Sequence, residues 1–178
     1  MTEEVSTGAL LGGQLIYKQL RAGHRSGFEP VLLAACVPAK AGEIVLEAGT
    51  GAGAALLCLG ARVPGVHGIG VEREAALARL ANENFKINKL NNFIAIQGDA
   101  AALPFRPNSF HHVLANPPWF GASSTASPDA KRTLAHHAPP ELLPRWIAEL
   151  ARVLRAKGGI FLVLPAASFA AAAAAGSR

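Results

Sequence analysis

The sequence has only two cysteines in 178 residues, Cys36 and Cys58, and they form no CxxC pattern. Both stand in apolar surroundings and read as small buried hydrophobes of a reducing compartment. No apolar run reaches the roughly 20 residues that a bilayer span requires. The start, Met1-Thr2-Glu3-Glu4, is acidic with no apolar h-region behind it, which argues against a secretory signal. These absences predict a soluble, cytoplasmic protein with no membrane partner. Long runs of lysine or arginine are missing too; the basic residues are scattered, with small groups near 18–25, 131–132 and 152–157. No internal repeat is visible. The histidine pairs His111-His112 and His136-His137 lack an accompanying Cys/Asp/Glu set at ligand spacing. They are expected to be solvated or substrate-facing, and no metal site is predicted.

What is present is apolar mass and positive charge. Hydrophobic residues make up 51% of the chain, enough to fill the core of one domain of this length. Net charge is +5, which favours contact with nucleic acid or another polyanion without specifying a fold.

The most organised stretch is Glu47-Ala48-Gly49-Thr50-Gly51-Ala52-Gly53. Glu43-Ile44-Val45-Leu46 before it reads as a short buried strand, and Ala54 to Leu59 after it as the first turns of a helix. A strand that breaks into spaced glycines and then a helix brings bare backbone N–H groups close to a ligand. Glu47 at the strand end can reach into the same crevice as an acceptor. A second strand, residues 66–72, ends in Glu72, whose carboxylate can accept both ribose hydroxyls of a bound nucleoside or cap the next helix. Residues 73–88 read as a helix with Leu77, Leu80, Ala81 and Phe85 on one apolar stripe. Phe93 to Gln97 is a third strand, followed by Gly98-Asp99-Ala100. Asp99 is placed either to accept from an adenine amino group or to close a turn.

His111 to Ala115 is a fourth strand and opens straight into Asn116-Pro117-Pro118-Trp119. Two prolines fix the backbone and remove two donors, so the Asn116 side chain and the Pro117 carbonyl can aim acceptors at one point. Trp119 offers a flat face beside it. The set suits a planar substrate carrying an NH2 group. Residues 120–139 form a long polar loop, residues 141–154 an amphipathic helix closed by Lys157-Gly158-Gly159, and Ile160 to Pro165 a fifth strand. Ahead of the glycine turn, Gly12-Gly13 reads as a two-residue hairpin turn and residues 30–37 as a short apolar helix.

This pattern resembles the class I S-adenosylmethionine-dependent methyltransferases, and the Asn-Pro-Pro-aromatic motif resembles the amino-group methylators of adenine, guanine or glutamine. Residues 11–13 and 23–35 are similar to the tRNA(Val) N6-adenine methyltransferase, or methyltransferase small domain, group. The resemblance covers residues 8–165. It implies an α/β fold with a Rossmann-like, mostly parallel sheet, helices on both faces and its C-terminal strands truncated. It implies S-adenosylmethionine held by Glu47, Gly49, Thr50, Gly51, Gly53, Glu72, Arg73, Asp99, Ala100 and Asn116, with Glu72 at the ribose and Asp99 at the adenine. Asn116, Pro117, Pro118 and Trp119 would then orient and stack the target base. Glu47 stands where Asp is commoner in the family, and Trp119 where Tyr or Phe is. Residues 1–29 would be a substrate-side extension and residues 30–178 the cofactor domain, incomplete at its C-terminus, with an exposed sheet edge able to form a homodimer. The activity implied is methyl transfer to an exocyclic amine, N6 of adenine in tRNA, with the side chain of a protein glutamine as the alternative acceptor. A cofactor-binding domain without catalysis is the third reading.

Overall fold

The computed structural model describes residues 4–22, 26–117 and 141–176. Seven strands and five helices are described: β1 (Val5–Leu10), β2 (Leu15–Leu20), α1 (Glu29–Cys36), β3 (Ile44–Ala48), α2 (Ala54–Arg62), β4 (His67–Glu72), α3 (Ala75–Ile87), β5 (Phe93–Gln97), β6 (Phe110–Ala115), α4 (Leu142–Val153), β7 (Leu154–Leu162) and α5 (Phe169–Gly176). β3 to β7 form one sheet in the order β5-β4-β3-β6-β7, with every pairing parallel. The chain therefore steps outwards from β3 to β5, then crosses back over β3 to lay down β6 and β7. That reversal makes a switch point between β3 and β6, and ligands of such sheets lie outside the carboxyl ends of the strands there.

Strand residues alternate between two apolar layers. Val45 and Leu114 face a core shared with α1, α2 and α3; Leu46, Ala48, Val113 and Ala115 face one shared with α4. In α4, Leu143, Trp146, Ile147, Leu150 and Val153 are buried at helical spacing. Arg62 closes α1 from outside, donating to the carbonyls of Ala34 (3.0 Å) and Val37. Arg152 forks onto the carbonyls of Leu103 and Phe105, both at 2.8 Å, while Glu149 receives Arg152 at 2.7 Å and the Leu103 N–H at 2.8 Å. The fork fixes the segment after β5 to α4.

Several sequence expectations need correction. The β1–β2 connection is not a two-residue turn: Leu10 pairs with Leu15, and Leu11-Gly12-Gly13-Gln14 join them through a single 3-10 turn. Lys157-Gly158-Gly159 does not end a helix. β7 begins at Leu154, and the register slips between the pairs Phe110–Leu154 and His112–Gly159, so Lys157 (φ +66°) lies in a bulge. Cys36 is exposed, although Cys58 is buried. His111 and His112 are half-buried, and His111 Nδ1 accepts the Ile44 N–H at 3.0 Å. His112 Nε2 stands 3.4 Å from Glu43 Oε2. Both histidines thus brace the amino end of the sheet, opposite the strand ends that bear the glycine turn, where solvated or substrate-facing side chains were expected. His136-His137 lies outside the described residues.

Candidate functional site

Strand register brings Gly49, Glu72 and Asn116, three of the predicted residues, to one edge. Ala48 pairs with Val71 on one side and Ala115 on the other, so Gly49, Glu72 and Asn116 leave three neighbouring strands side by side. Adjacent parallel strands are spaced by roughly 4.8 Å. Glu72 pairs in turn with Gln97, two residues before Asp99. The glycine turn is pinned to β4: the N–H groups of Gly49 and Thr50 both donate to the Val71 carbonyl, at 2.8 and 3.1 Å.

The three glycines of the turn are all left-handed, but they meet different surroundings. A Cβ on Gly49 would stand 2.9 Å from the Trp146 ring, and one on Gly53 2.8 Å from Phe85. One on Gly51 (φ +55°) would meet nothing within 4 Å. The first and third positions are small because the chain's own rings press on them. At the second, a left-handed backbone opens onto free space, which is where a ligand can approach bare peptide.

Glu72 receives Gly51 N–H on one oxygen and Glu74 N–H on the other, each at 2.9 Å. A carboxylate offers about four acceptor positions, so two hydroxyl donors can still be accommodated. The carboxylate therefore fixes the turn and the residue ahead of α3, and it makes no hydrogen bond to the helix's own first turn. Asp99 is exposed, and its Oδ1 accepts the Ala101 N–H at 2.8 Å, a local turn. Ala100 is buried beneath it, and Arg73 is exposed with its carbonyl accepting from Gln97. Thr50 is buried, its methyl pressed against Gly70.

Glu47 does not stand in the open crevice; it is 4% exposed and lies under the turn. Its Oε2 accepts the Thr50 hydroxyl at 2.6 Å, and its carboxyl also accepts the backbone N–H of Leu56 in the first turn of α2. Burial pushes the carboxyl up to about 8, and the nearby Glu72 charge adds to the rise, while those two hydrogen bonds oppose it. Tyr17 of β2 is buried close by, its hydroxyl 2.8 Å from Ser26 Oγ. Burial raises this phenol to about 12, with Glu47 contributing. Asn116 is half-buried and Pro117 buried at the end of β6. Pro118, Trp119, the loop with Lys131-Arg132 and the basic residues His24 and Arg25 lie outside the described residues.

Three residues near the turn have no place in the sequence reading: Trp146, Tyr17 and Asn84. Asn84 is fully buried, yet falls three residues after Ala81 on the apolar stripe of α3. A polar residue interrupting that stripe is the signal that marks it. A cavity of about 610 Å³ lies elsewhere, between α4, β7 and α5, lined by apolar residues such as Ile147, Leu162 and Phe169. It carries no titratable side chain, so the chemistry is assigned to the strand ends. No helix among the described residues is long and apolar enough to cross a membrane.

A parallel sheet in this order, with a glycine turn after its first strand and an acid ending the second, is the methyltransferase fold. The chain matches the family model described as "Methyltransferase domain" over residues 45–158 and belongs to that family. A tRNA1(Val) (adenine(37)-N6)-methyltransferase of Parabacteroides distasonis is 30% identical over 142 residues, covering 78% of this chain and 59% of that protein. The chain thus spans about 59% of the length of that relative. A release factor glutamine methyltransferase of Thermodesulfovibrio yellowstonii is 31% identical over 78 residues, 44% of this chain and 28% of that protein. Among solved structures, a predicted O-methyltransferase from Agrobacterium tumefaciens has a TM-score of 0.66 at 23% identity, covering 84% of this chain and 67% of that one. It shares the fold.

Proposed function

We propose that this domain binds S-adenosylmethionine at the switch point and transfers its methyl group to an exocyclic amine, N6 of adenine in tRNA. The observation that carries this reading is the register of β3 and β6, which sends Gly49 and Asn116 out side by side. The donor set fits the cofactor: open space over Gly51 for its methionine end, the Glu72 carboxylate for a ribose diol, and Asp99 and Ala100 beyond β5 for the adenine. Glu47 acts from beneath, holding Thr50 and the first turn of α2 in place. When bound, the sulfonium supplies an already activated methyl group, so the protein's task is alignment.

In this reading the Asn116 side chain and the Pro117 carbonyl accept the two amine protons and stabilise positive charge developing on the nitrogen. Trp119 stacks on the base, and Pro118 stiffens the corner that carries it. A base within folded RNA must first be splayed from its stack. The basic balance of the chain and the long match to an N6-adenine methyltransferase favour RNA. Residues 1–29 then extend the substrate side, and residues 30–178 carry the cofactor. A glutamine acceptor is the second reading, supported by the shorter match to a release factor methyltransferase and by the planar NH2 of a carboxamide.

Labelled S-adenosylmethionine offered with total RNA or total protein decides between the two: label in RNA is expected, and label in protein alone would overturn the tRNA reading. Replacing Asn116 by Ala is expected to lower methyl transfer by about 10- to 100-fold, the worth of one hydrogen bond to a charged group. Cofactor affinity should fall far less than methyl transfer does. Lost affinity with transfer intact would contradict the assigned role.

A further inference from the structure

Besides the packing of Leu15 and Tyr17 into the core, two asparagines hold the β1–β2 hairpin: Asn84 in α3 and Asn88 just past its end. Asn88 accepts the Ile16 N–H at 2.9 Å and donates to the Ile16 carbonyl at 2.7 Å. Asn84 does the same to Lys18, with both bonds at 2.8 Å. Residues four apart on a helix rise by about 6 Å, and residues two apart on a strand by about 6.7 Å. The two side-chain amides therefore continue the ladder of β2 as though a further strand lay beside it. Asn84 also reaches the glycine turn: its second amide proton goes to the carbonyl of Ala52, at 2.9 Å. With both protons committed and no exposure to solvent, its orientation is fixed. On the same strand, Tyr17 turns inward between Ile16 and Lys18 and is buried next to Glu47.

We propose that Asn84 is a positioning residue of the cofactor site, one that holds the Gly51-Ala52-Gly53 backbone and the β1–β2 hairpin as a single wall. The inference rests on the cofactor reading given above. Asn88 provides the control within the same structure. Both residues anchor the hairpin, but the turn bond belongs to Asn84; Asn88 Nδ2 goes instead to the Asn84 carbonyl, at 2.8 Å. Loss of Asn88 loosens the hairpin with the turn left tied to α3. Loss of Asn84 loosens the hairpin at Lys18 and the turn at Ala52 together, and strands the Ala52 carbonyl in a buried place.

The test compares Asn84→Ala, Asn88→Ala and the parent chain by calorimetric titration with S-adenosylhomocysteine and by steady-state kinetics. Asn84→Ala should weaken binding about tenfold or more, the effect of a sub-ångström misplacement of the turn, and raise KM for S-adenosylmethionine far more than it lowers kcat. Asn88→Ala should stay within about threefold in both. Equal effects of the two variants would reduce Asn84 to a structural anchor and overturn the inference while leaving the cofactor reading intact. A parent chain that binds neither ligand overturns both. Should Asn84→Ala fail to fold, amide exchange on the parent chain gives the answer. Ligand is expected to slow exchange in residues 15–20 together with 49–57; slowing in 49–57 alone overturns the coupling.

Discussion

Gly53→Ala is expected to destabilise the domain by about 2–5 kcal/mol, a large part of the roughly 5–15 kcal/mol that holds a domain of this kind together. Two separate effects add. Gly53 precedes α2 at φ +85°, ψ +21°, a left-handed conformation that costs an L-residue about 1–2 kcal/mol. The new methyl would also stand 2.8 Å from Phe85 Cε1, 2.9 Å from Cζ and 3.3 Å from the Ala81 Cβ. Phe85 has no room to retreat, being 1% exposed and packed against Phe93 at a ring separation of 5.6 Å. Overpacking of this sort costs about 1–3 kcal/mol. Urea unfolding measures the sum, and the pair Gly53→Ala with Phe85→Leu separates its parts, since the smaller side chain relieves the clash but not the backbone. A loss below about 1 kcal/mol would show that the turn tolerates a side chain and that the glycine serves the ligand alone. Gly51→Ala is the converse case. Only the backbone term of about 1–2 kcal/mol applies there, because the methyl enters open space. That space is the proposed path of the cofactor, so S-adenosylhomocysteine binding should suffer more than stability does.

The contrast between these glycines marks how far the sequence could be read. Closely spaced glycines after a buried strand announce a turn, and Asn-Pro-Pro after another strand announces a second corner. Their adjacency follows from the crossover of β6 to the far side of β3, which local patterns imply only through the family resemblance. Which glycine faces a ligand and which faces a ring depends on Trp146 and Phe85, contributed from about 100 and 30 positions away in the chain, and no short window contains that information. The bulge in β7 was hidden for a similar reason. Lys157-Gly158-Gly159 has the composition of a helix end, and pairing with β6 is what draws Leu154 to Gly159 into the sheet. The hairpin was legible from Gly12-Gly13, though its connection is longer than two residues, and its anchorage was not. Asn84 and Asn88 carry it through backbone groups of β2, and a backbone acceptor leaves no mark on the sequence of the strand that offers it. Glu47 was placed correctly at the end of β3, but an acceptor open to the crevice was expected, and the residue lies beneath the turn.

That burial has a measurable consequence, and Glu47→Gln is the variant that exposes it. The Glu47 carboxyl is held at about 8 in the folded chain, against an ordinary value of 4.5. Between those values the unfolded chain has released this proton and the folded chain retains it. Folding stability is therefore greatest with respect to this group below about pH 4.5, declines as pH rises, and levels off above about 8. At 1.36 kcal/mol per pH unit, the loss at pH 7 is on the order of 3 kcal/mol. An amide at the same place keeps an oxygen for the Thr50 hydroxyl, found at 2.6 Å from the carboxylate, and has no proton to lose. The Gln variant is accordingly expected to match the parent near pH 5 and to exceed it increasingly up to pH 8. Urea unfolding at pH 5, 6, 7 and 8 supplies the comparison, and a stability difference that does not change with pH would show that the carboxyl ionises inside the fold at its ordinary value. Sites built for chemistry are where a chain departs from its most stable sequence. A buried acid beneath the glycine turn is such a departure, and the pH slope measures its size.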